Sequence, residues 1–471
     1  MHARSSAAGS SASRGRRRWV AALVALTLIA ASCGDRGDDD SGSGGDTGTD
    51  TTEAAAGGGA GDFGDLEGVC GPAEGEVGPV ADDPAETQGL DEDSIKIGTV
   101  SDPGFEGRPG LNQEIFDSGE AFVAWCNEAG GINGRQIELT LYDAAITNYQ
   151  PQIEAACDNE FGLVGSGAVQ DNLWPTVGAA CDLIDVAGFS VTPEKGGLVG
   201  RDPVEERTIQ PVPNPADQII MGAASLLAEE FPDAIGSGYM LNADLATLIT
   251  QADKETQGLE QVGYSINDTA TYAILGEANW TPFASDIADA ETGMLRLIGE
   301  GENMALLQQA LEEVGYQPEL TFQGANFYDR AYIEAAGGSA EGTFVQTVFN
   351  PFEEADEHPA TRQYIDMVED EGGKVALLGA QSMSGWLLFA TAARDCDIAG
   401  TLTRTCVLET AAEVTDWTGG GLHAPTSPGT NEGSNCEMVL QIQGDEFVRH
   451  APDEGFACDD SYLVDVVPGT S

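Results

Sequence analysis

The stretch SIKIGTVSDPGFEGRPGLNQEIFDSGEAFVAWCNEAGGINGRQIELTLY, residues 94–142, decides the fold. It opens with a strand-like run at 95–100 and closes with a second at 136–142. Between them, residues 110–129 read as a helix, because Ile115, Phe122 and Cys126 recur at helical spacing and Gly130-Gly131 supplies a stop. The tight turn Gly131-Ile132-Asn133-Gly134 leads straight into the second run. The two strands are therefore predicted to be parallel neighbours, with the helix packed across one face.

The alternation continues outward. Residues 153–157 read as helix, 162–164 as a short buried strand, 173–183 as helix and 187–191 as a fourth strand. Residues 209–213 are too proline-rich for a central strand and mark a crossing into a second lobe. A helix is predicted directly after it, with Asn214 as N-cap, Pro215 at the first position and Ile220, Ala223, Leu227 and Phe231 as its apolar stripe. The second lobe repeats the pattern, with strands at 238–241, 272–275, 294–298 and 320–323 and helices at 245–258, 281–290 and 304–314. Residues 341–350 are extended and meet Pro351, a crossing back; helices at 361–372 and 381–394, with Met383 and Trp386 as core, complete the first lobe. The chain then crosses a third time and ends in a hairpin, 438–442 and 446–448, around Gly444-Asp445. The predicted class is α/β, two doubly wound parallel-sheet lobes joined by a three-segment hinge.

Charge excludes several functions. The chain of 471 residues carries 79 acidic residues against 20 Lys and Arg, a formal net charge of −59. Such a surface repels nucleic acid and anionic headgroups, so neither is an expected partner. Arg14 to Arg18 form a basic region before an apolar run at 19–31, and Ser32-Cys33 follow. That run is shorter than the roughly 20 residues a membrane span needs, so residues 1–32 read as a signal peptide. Arg16-Arg17-Arg18-Trp19-Val20 also loosely fits a twin-arginine signal, which leaves the export route open. Residues 33–66 read as a disordered acidic tether and 67–93 as an N-terminal extension. The remaining bounds are 94–210 and 346–398 for lobe one, 211–345 and 399–460 for lobe two, and 461–471 for a tail.

Nine cysteines are present. An even set remains once Cys33 is set aside, as suits an exported chain. Local spacing pairs Cys157 with Cys181, Cys396 with Cys406 and Cys436 with Cys458, which leaves Cys70 with Cys126. The four His are scattered and no Cys/His ligand spacing occurs, so no metal is expected.

The run NEAGGINGRQIELTLYD, a strand and long helix before it and Asp143 after it, resembles the opening of type I periplasmic binding proteins. The resemblance is to the leucine/isoleucine/valine-binding family of ABC importer receptors in particular, and it extends over roughly residues 94–450. Ile29-Ala30-Ala31-Ser32-Cys33 is similar to a bacterial lipobox, with Ala30 where Leu is usual, which implies a lipid on Cys33. In open α/β sheets ligands bind at the carboxyl ends of strands. The first wall then offers Ser101, Asp102 and Phe105, the loop carrying Ser166, and Ser190 with Thr192. The resemblance places the 165–168 and 190–192 loops where the family's receptors hold a ligand carboxylate. It puts Val169 or Gln170 where those receptors have a donating Ser, which predicts that branched-chain amino acids bind weakly. The second wall offers Asn242, Asp244, Glu300, Glu302, Asn326, Phe327, Tyr328 and Asp329, with Glu300 and Tyr328 nearest to the family's ammonium-binding acid and Tyr.

No nucleophile elbow, phosphate loop or complete dinucleotide fingerprint occurs, so no enzyme activity and no cofactor are expected. The resemblance implies a monomeric extracytoplasmic lipoprotein that binds a small polar metabolite, an amino acid or related amide or carboxylate, and delivers it to an ABC permease. A ligand-sensing module that signals through a partner protein is the alternative.

Overall fold

The computed structural model describes residues 59–469, apart from positions 74, 76 and 401. The signal segment, Cys33 and most of the tether lie outside the described residues.

Lobe one is built on β1 (Ser94–Ser101), β2 (Gln136–Asp143), β3 (Gly162–Val164), β4 (Ile184–Val186) and β5 (Thr208–Ile209), ordered β2-β1-β3-β4-β5 with every pair parallel. Helices Gln113–Ala129 and Leu377–Ile398 cover one face, where Ile95, Ile97, Val164 and Ile184 meet Phe122 and Trp386. Helix Tyr149–Asn159 covers the other, with Val100, Tyr142 and Leu163 beneath it. Coverage on both faces is why the inner strands are almost continuously buried. Met383 and Trp386 are fully buried, and Trp386 stacks on Phe122 with ring centroids 5.2 Å apart. The helix Gln113–Ala129 stops at Gly130, whose φ of 116° suits a residue without a Cβ.

After β6 (Gln218–Ile220), lobe two is built on β7 (Gly238–Ala243), β8 (Ile266–Tyr272), β9 (Met294–Ile298), β10 (Leu320–Gln323), β11 (Phe344–Thr347), β12 (Cys436–Gln443) and β13 (Glu446–Ala451). The order is β13-β12-β11-β10-β9-β7-β8. β12 runs antiparallel to both neighbours, β11 and β13, the second as the hairpin at Gly444 requires, and the remaining pairs of this order are parallel. The three crossings are tied to one another: Thr426 Oγ1 donates to the Pro211 carbonyl at 2.6 Å, and Ala424 N donates to the Val348 carbonyl at 2.8 Å.

Several expectations need correction. No helix starts at Asn214; β6 occupies Gln218–Ile220 and the helix begins at Gly222. The cause is a remote partner, because β15 (Leu463–Asp465), which follows β14 (Ala457–Cys458), pairs antiparallel with β6. The predicted tail is therefore part of the fold. The predicted tether ends early, since Phe63 is fully buried in the lobe-one core and Leu66 packs against that core. Helix Arg404–Ala412, assigned from sequence to lobe two, packs on lobe one. Its Arg404 guanidinium is buried and donates to the carbonyls of Phe161, Glu160, Ala85 and Asp182, which fixes the helix there. The expected helix at 173–183 is two short turns, Trp174–Thr176 and Ala179–Cys181, and the fourth strand lies at Ile184–Val186, before the predicted 187–191.

Four disulfides join the pairs that spacing suggested: Cys70 to Cys126, Cys157 to Cys181, Cys396 to Cys406 and Cys436 to Cys458. The first ties the N-terminal extension to the helix that covers β1.

Candidate functional site

A cavity of about 230 Å³ lies between the lobes, lined from lobe one by Asn112, Val169 and Phe189, from lobe two by Glu300, Asn326 and Asp329, and by Val212 and Val348 of the crossings. A single water needs roughly 10–15 Å³ on this measure, so the space suits a metabolite rather than a few solvent molecules. Much of the lining from lobe one sits in loops that follow β1, β3 and β4, with Leu378 and Gln381 added by helix Leu377–Ile398, and much of that from lobe two in loops that follow β9 and β10. The carboxyl ends of both sheets thus face a shared gap.

Ion pairs bridge the lobes at the edge of this cavity. Arg108, in the loop after β1, meets Glu300 at 2.5 Å, Glu302 at 2.7 Å and Asp329 at 3.7 Å. Burial pulls the Arg108 guanidinium down, but the three carboxylates outweigh it and hold the group charged, above its ordinary range. Lys374 of lobe one extends the cluster, 2.6 Å from Asp329 and 3.1 Å from Glu114. Burial pushes both Glu114 and Glu300 above the usual carboxylate range, with Lys374 and Arg108 respectively pulling them back less. Asp329 is held in place as N-cap of helix Arg330–Ala336, accepting from Ala331 N.

A second charged pair lies deeper. Arg296 projects from β9 and is paired with Glu255 of helix Ala246–Gln261. It also donates to Gln346 Oε1 at 3.2 Å and sits over the Phe322 ring at 4.6 Å. Gly299 makes the turn out of β9 at a φ of 152°, where any Cβ would lie 1.8 Å from the Tyr272 hydroxyl.

Of the residues singled out from sequence, Val169, Val191, Glu300, Asn326 and Asp329 line the cavity. Ser101 is buried and donates to the Asn112 carbonyl at 3.0 Å. Asp102 accepts from Ile146 N and from Val169 N at 2.7 Å, so it latches two loops instead of facing solute. Phe105 packs with Leu111, Ile146 and Val169 behind the wall. Ser166 Oγ accepts from Val100 N at 3.4 Å, inside lobe one. Gln170 lies outside the lining, Ser190 is fully buried, and Thr192 borders a separate small pocket. Asn242 donates to the Ala243 carbonyl at 3.0 Å and does not reach the cavity. Tyr328 is also absent from the lining: its hydroxyl donates to Glu353 at 2.5 Å and its ring stacks on Phe352. The reading missed Arg108, Glu114, Arg296, Lys374 and Gln381. The available signal was scarcity, because a chain with 20 basic and 79 acidic residues places three of its few cations here.

Two α/β lobes on three crossings, with a cavity between their strand tips, define a bilobed solute-binding protein. The chain belongs to the periplasmic binding protein family, whose model matches residues 95–446. Among solved structures, it is similar to a branched-chain amino acid ABC transporter protein from Thermus thermophilus with bound valine, at 15% identity and a TM-score of 0.64, covering 79% of this chain and 98% of that one. It is similar also to a fatty acid ABC transporter substrate-binding protein from Thermomonospora curvata, at 14% identity and 0.63, covering 83% and 97%. A leucine-binding protein from Thermotoga maritima matches at 14% identity and 0.59, covering 76% and 98%. These likenesses establish the type I fold. A search of curated proteins finds no match. The family is one of solute binders that work with ABC permeases outside the cytoplasm.

Proposed function

We propose that this protein is the extracytoplasmic solute receptor of an ABC importer, anchored by a lipid on Cys33 and monomeric, with a small metabolite held between its lobes. The expected ligands are amino acids and related amides or carboxylates. The observation that carries this reading is the cavity itself, whose walls come from both lobes and all of whose edge ion pairs made by Arg108 span the gap. A solute touching both walls stabilises the closed form over the open one, and a permease can read that difference. The amide side chains of Asn112, Gln251, Asn326, Gln346 and Gln381 along the lining supply donors and acceptors for a polar group.

A thermal-shift and calorimetry screen of amino acids, amides and small carboxylates tests the reading. A true ligand at 100 times its Kd adds about 2.7 kcal/mol to stability. If neither this panel nor a set of primary amines shifts the unfolding transition, the receptor reading falls.

A further inference from the structure

The charge balance of the cavity narrows the ligand class, on the reading above that the cavity holds a solute. At its edge four carboxylates, Glu114, Glu300, Glu302 and Asp329, surround two cations, Arg108 and Lys374. The deeper pair, Arg296 and Glu255, cancels. The site therefore carries a surplus of negative charge. Each cation is already engaged: Arg108 by three carboxylates, Lys374 by two, and Arg296 by Glu255, the Phe322 carbonyl and Gln346. A ligand carboxylate would find no free cation here and would face the acidic surplus.

The lobe-one hydroxyls do not supply the missing donors. The hydroxyls of Ser101 and Ser166 are spent inside the lobe, and Ser190 is fully buried away from the lining. What the lobe presents instead is Val169, Phe189, Val191 and Leu378, an apolar surface. Among these stands Gln381, only 7% exposed, on the cavity wall, with no hydrogen-bond partner for its amide among the described residues. Its amide opens onto the cavity, where a guest can take up its donors and acceptor.

We propose that the cavity takes a ligand with an apolar body and a cationic amine head, and no carboxylate. The ammonium sits against the surplus carboxylates at the edge, the body packs on the lobe-one wall, and the Gln381 carbonyl accepts from the head group.

Three compounds sharing one branched body separate the head groups: 3-methylbutylamine, 4-methylpentanoate and leucine. Calorimetric titration of the full chain is expected to show the amine binding at least tenfold more tightly than either other compound. Glu300→Gln is expected to weaken it about tenfold, and Gln381→Leu about fivefold with an unchanged unfolding midpoint. Tighter binding of leucine or 4-methylpentanoate overturns the amine proposal and leaves the receptor reading standing. If none of the three binds, a wider panel of primary amines, amides, amino acids and carboxylates decides. Binding confined to amines supports the proposal, binding of a non-amine overturns it alone, and no binding at all removes both readings.

Discussion

The two walls of the cavity both draw on loops at the carboxyl ends of parallel strands, yet they differ in chemistry. The lobe-one wall is apolar, with Val169, Phe189, Val191 and Leu378, and turns the hydroxyls of Ser101 and Ser166 inward to hold its own backbone. The lobe-two wall presents Glu300 and Asp329 with little but borrowed cations, Arg108 and Lys374, both from lobe one. Neither wall is complete alone. The first lends positive charge and apolar surface, and the second supplies the acids, so closure satisfies both.

The comparison breaks hardest at Asp102, which holds the lobe-one wall in shape. Asp102→Ala orphans the buried amides of Ile146 and Val169. Each orphan costs about 1–3 kcal/mol, so a loss of about 2–6 kcal/mol in urea unfolding is expected. An unchanged midpoint would show that the wall does not depend on this latch.

Behind the lobe-two wall, Glu437 on β12 is buried and accepts from Ala223 N. Burial raises its carboxyl to about 7 from an ordinary 4.5, with Ala223 N and Arg296 pulling the other way. The sign follows from linkage: the stability it contributes is fully present below about pH 4.5 and is lost as pH rises through about 7. The expected loss across that window is on the order of 3 kcal/mol. Buried Asp171, raised to about 6, slopes the same way. Unfolding midpoints measured from pH 4.5 to 7.5 should flatten substantially in Glu437→Gln; parallel profiles for the two proteins would contradict this.

Lys374→Met tests the borrowed cation. It leaves Glu114 and Asp329 facing one another with only Arg108 near. The Lys374 side chain is 27% exposed, so solvent screens part of the cost, and about 2 kcal/mol is expected in denaturant unfolding. Raised salt should shrink that difference, and a salt-independent one would point to lost packing instead.

The smallest effect is expected at Ser190. Its hydroxyl is buried without a partner and lies off the lining. Ser190→Ala should change stability by less than about 0.5 kcal/mol and leave 3-methylbutylamine affinity within twofold. A larger affinity loss would restore the hydroxyl wall that the family resemblance implies.

Local signals made the fold legible. Alternating apolar runs, the Gly130-Gly131 stop and the Gly444-Asp445 turn each announce an element within a few residues of chain. What escaped depends on distant partners. Gln218–Ile220 is a strand because Leu463–Asp465 comes back to pair with it, and nothing near residue 218 announces that. The fourth strand buries a charge at Asp185, which only the remote Lys195, 2.6 Å away, makes tolerable. The site was legible only where a loop's position suffices, as for Val169, Glu300 and Asn326. Which way a hydroxyl turns, and which acids a scarce cation gathers, are properties of the folded packing.

The account rests on one solute being enclosed by both walls together. A crystal structure of the protein grown with a solute that raises its unfolding temperature tests this most directly. The expected density lies between Val169 and Phe189 on one side and Glu300 and Asp329 on the other, with contacts from both lobes. A solute seated on a single lobe, with the space between these residues empty, would contradict it.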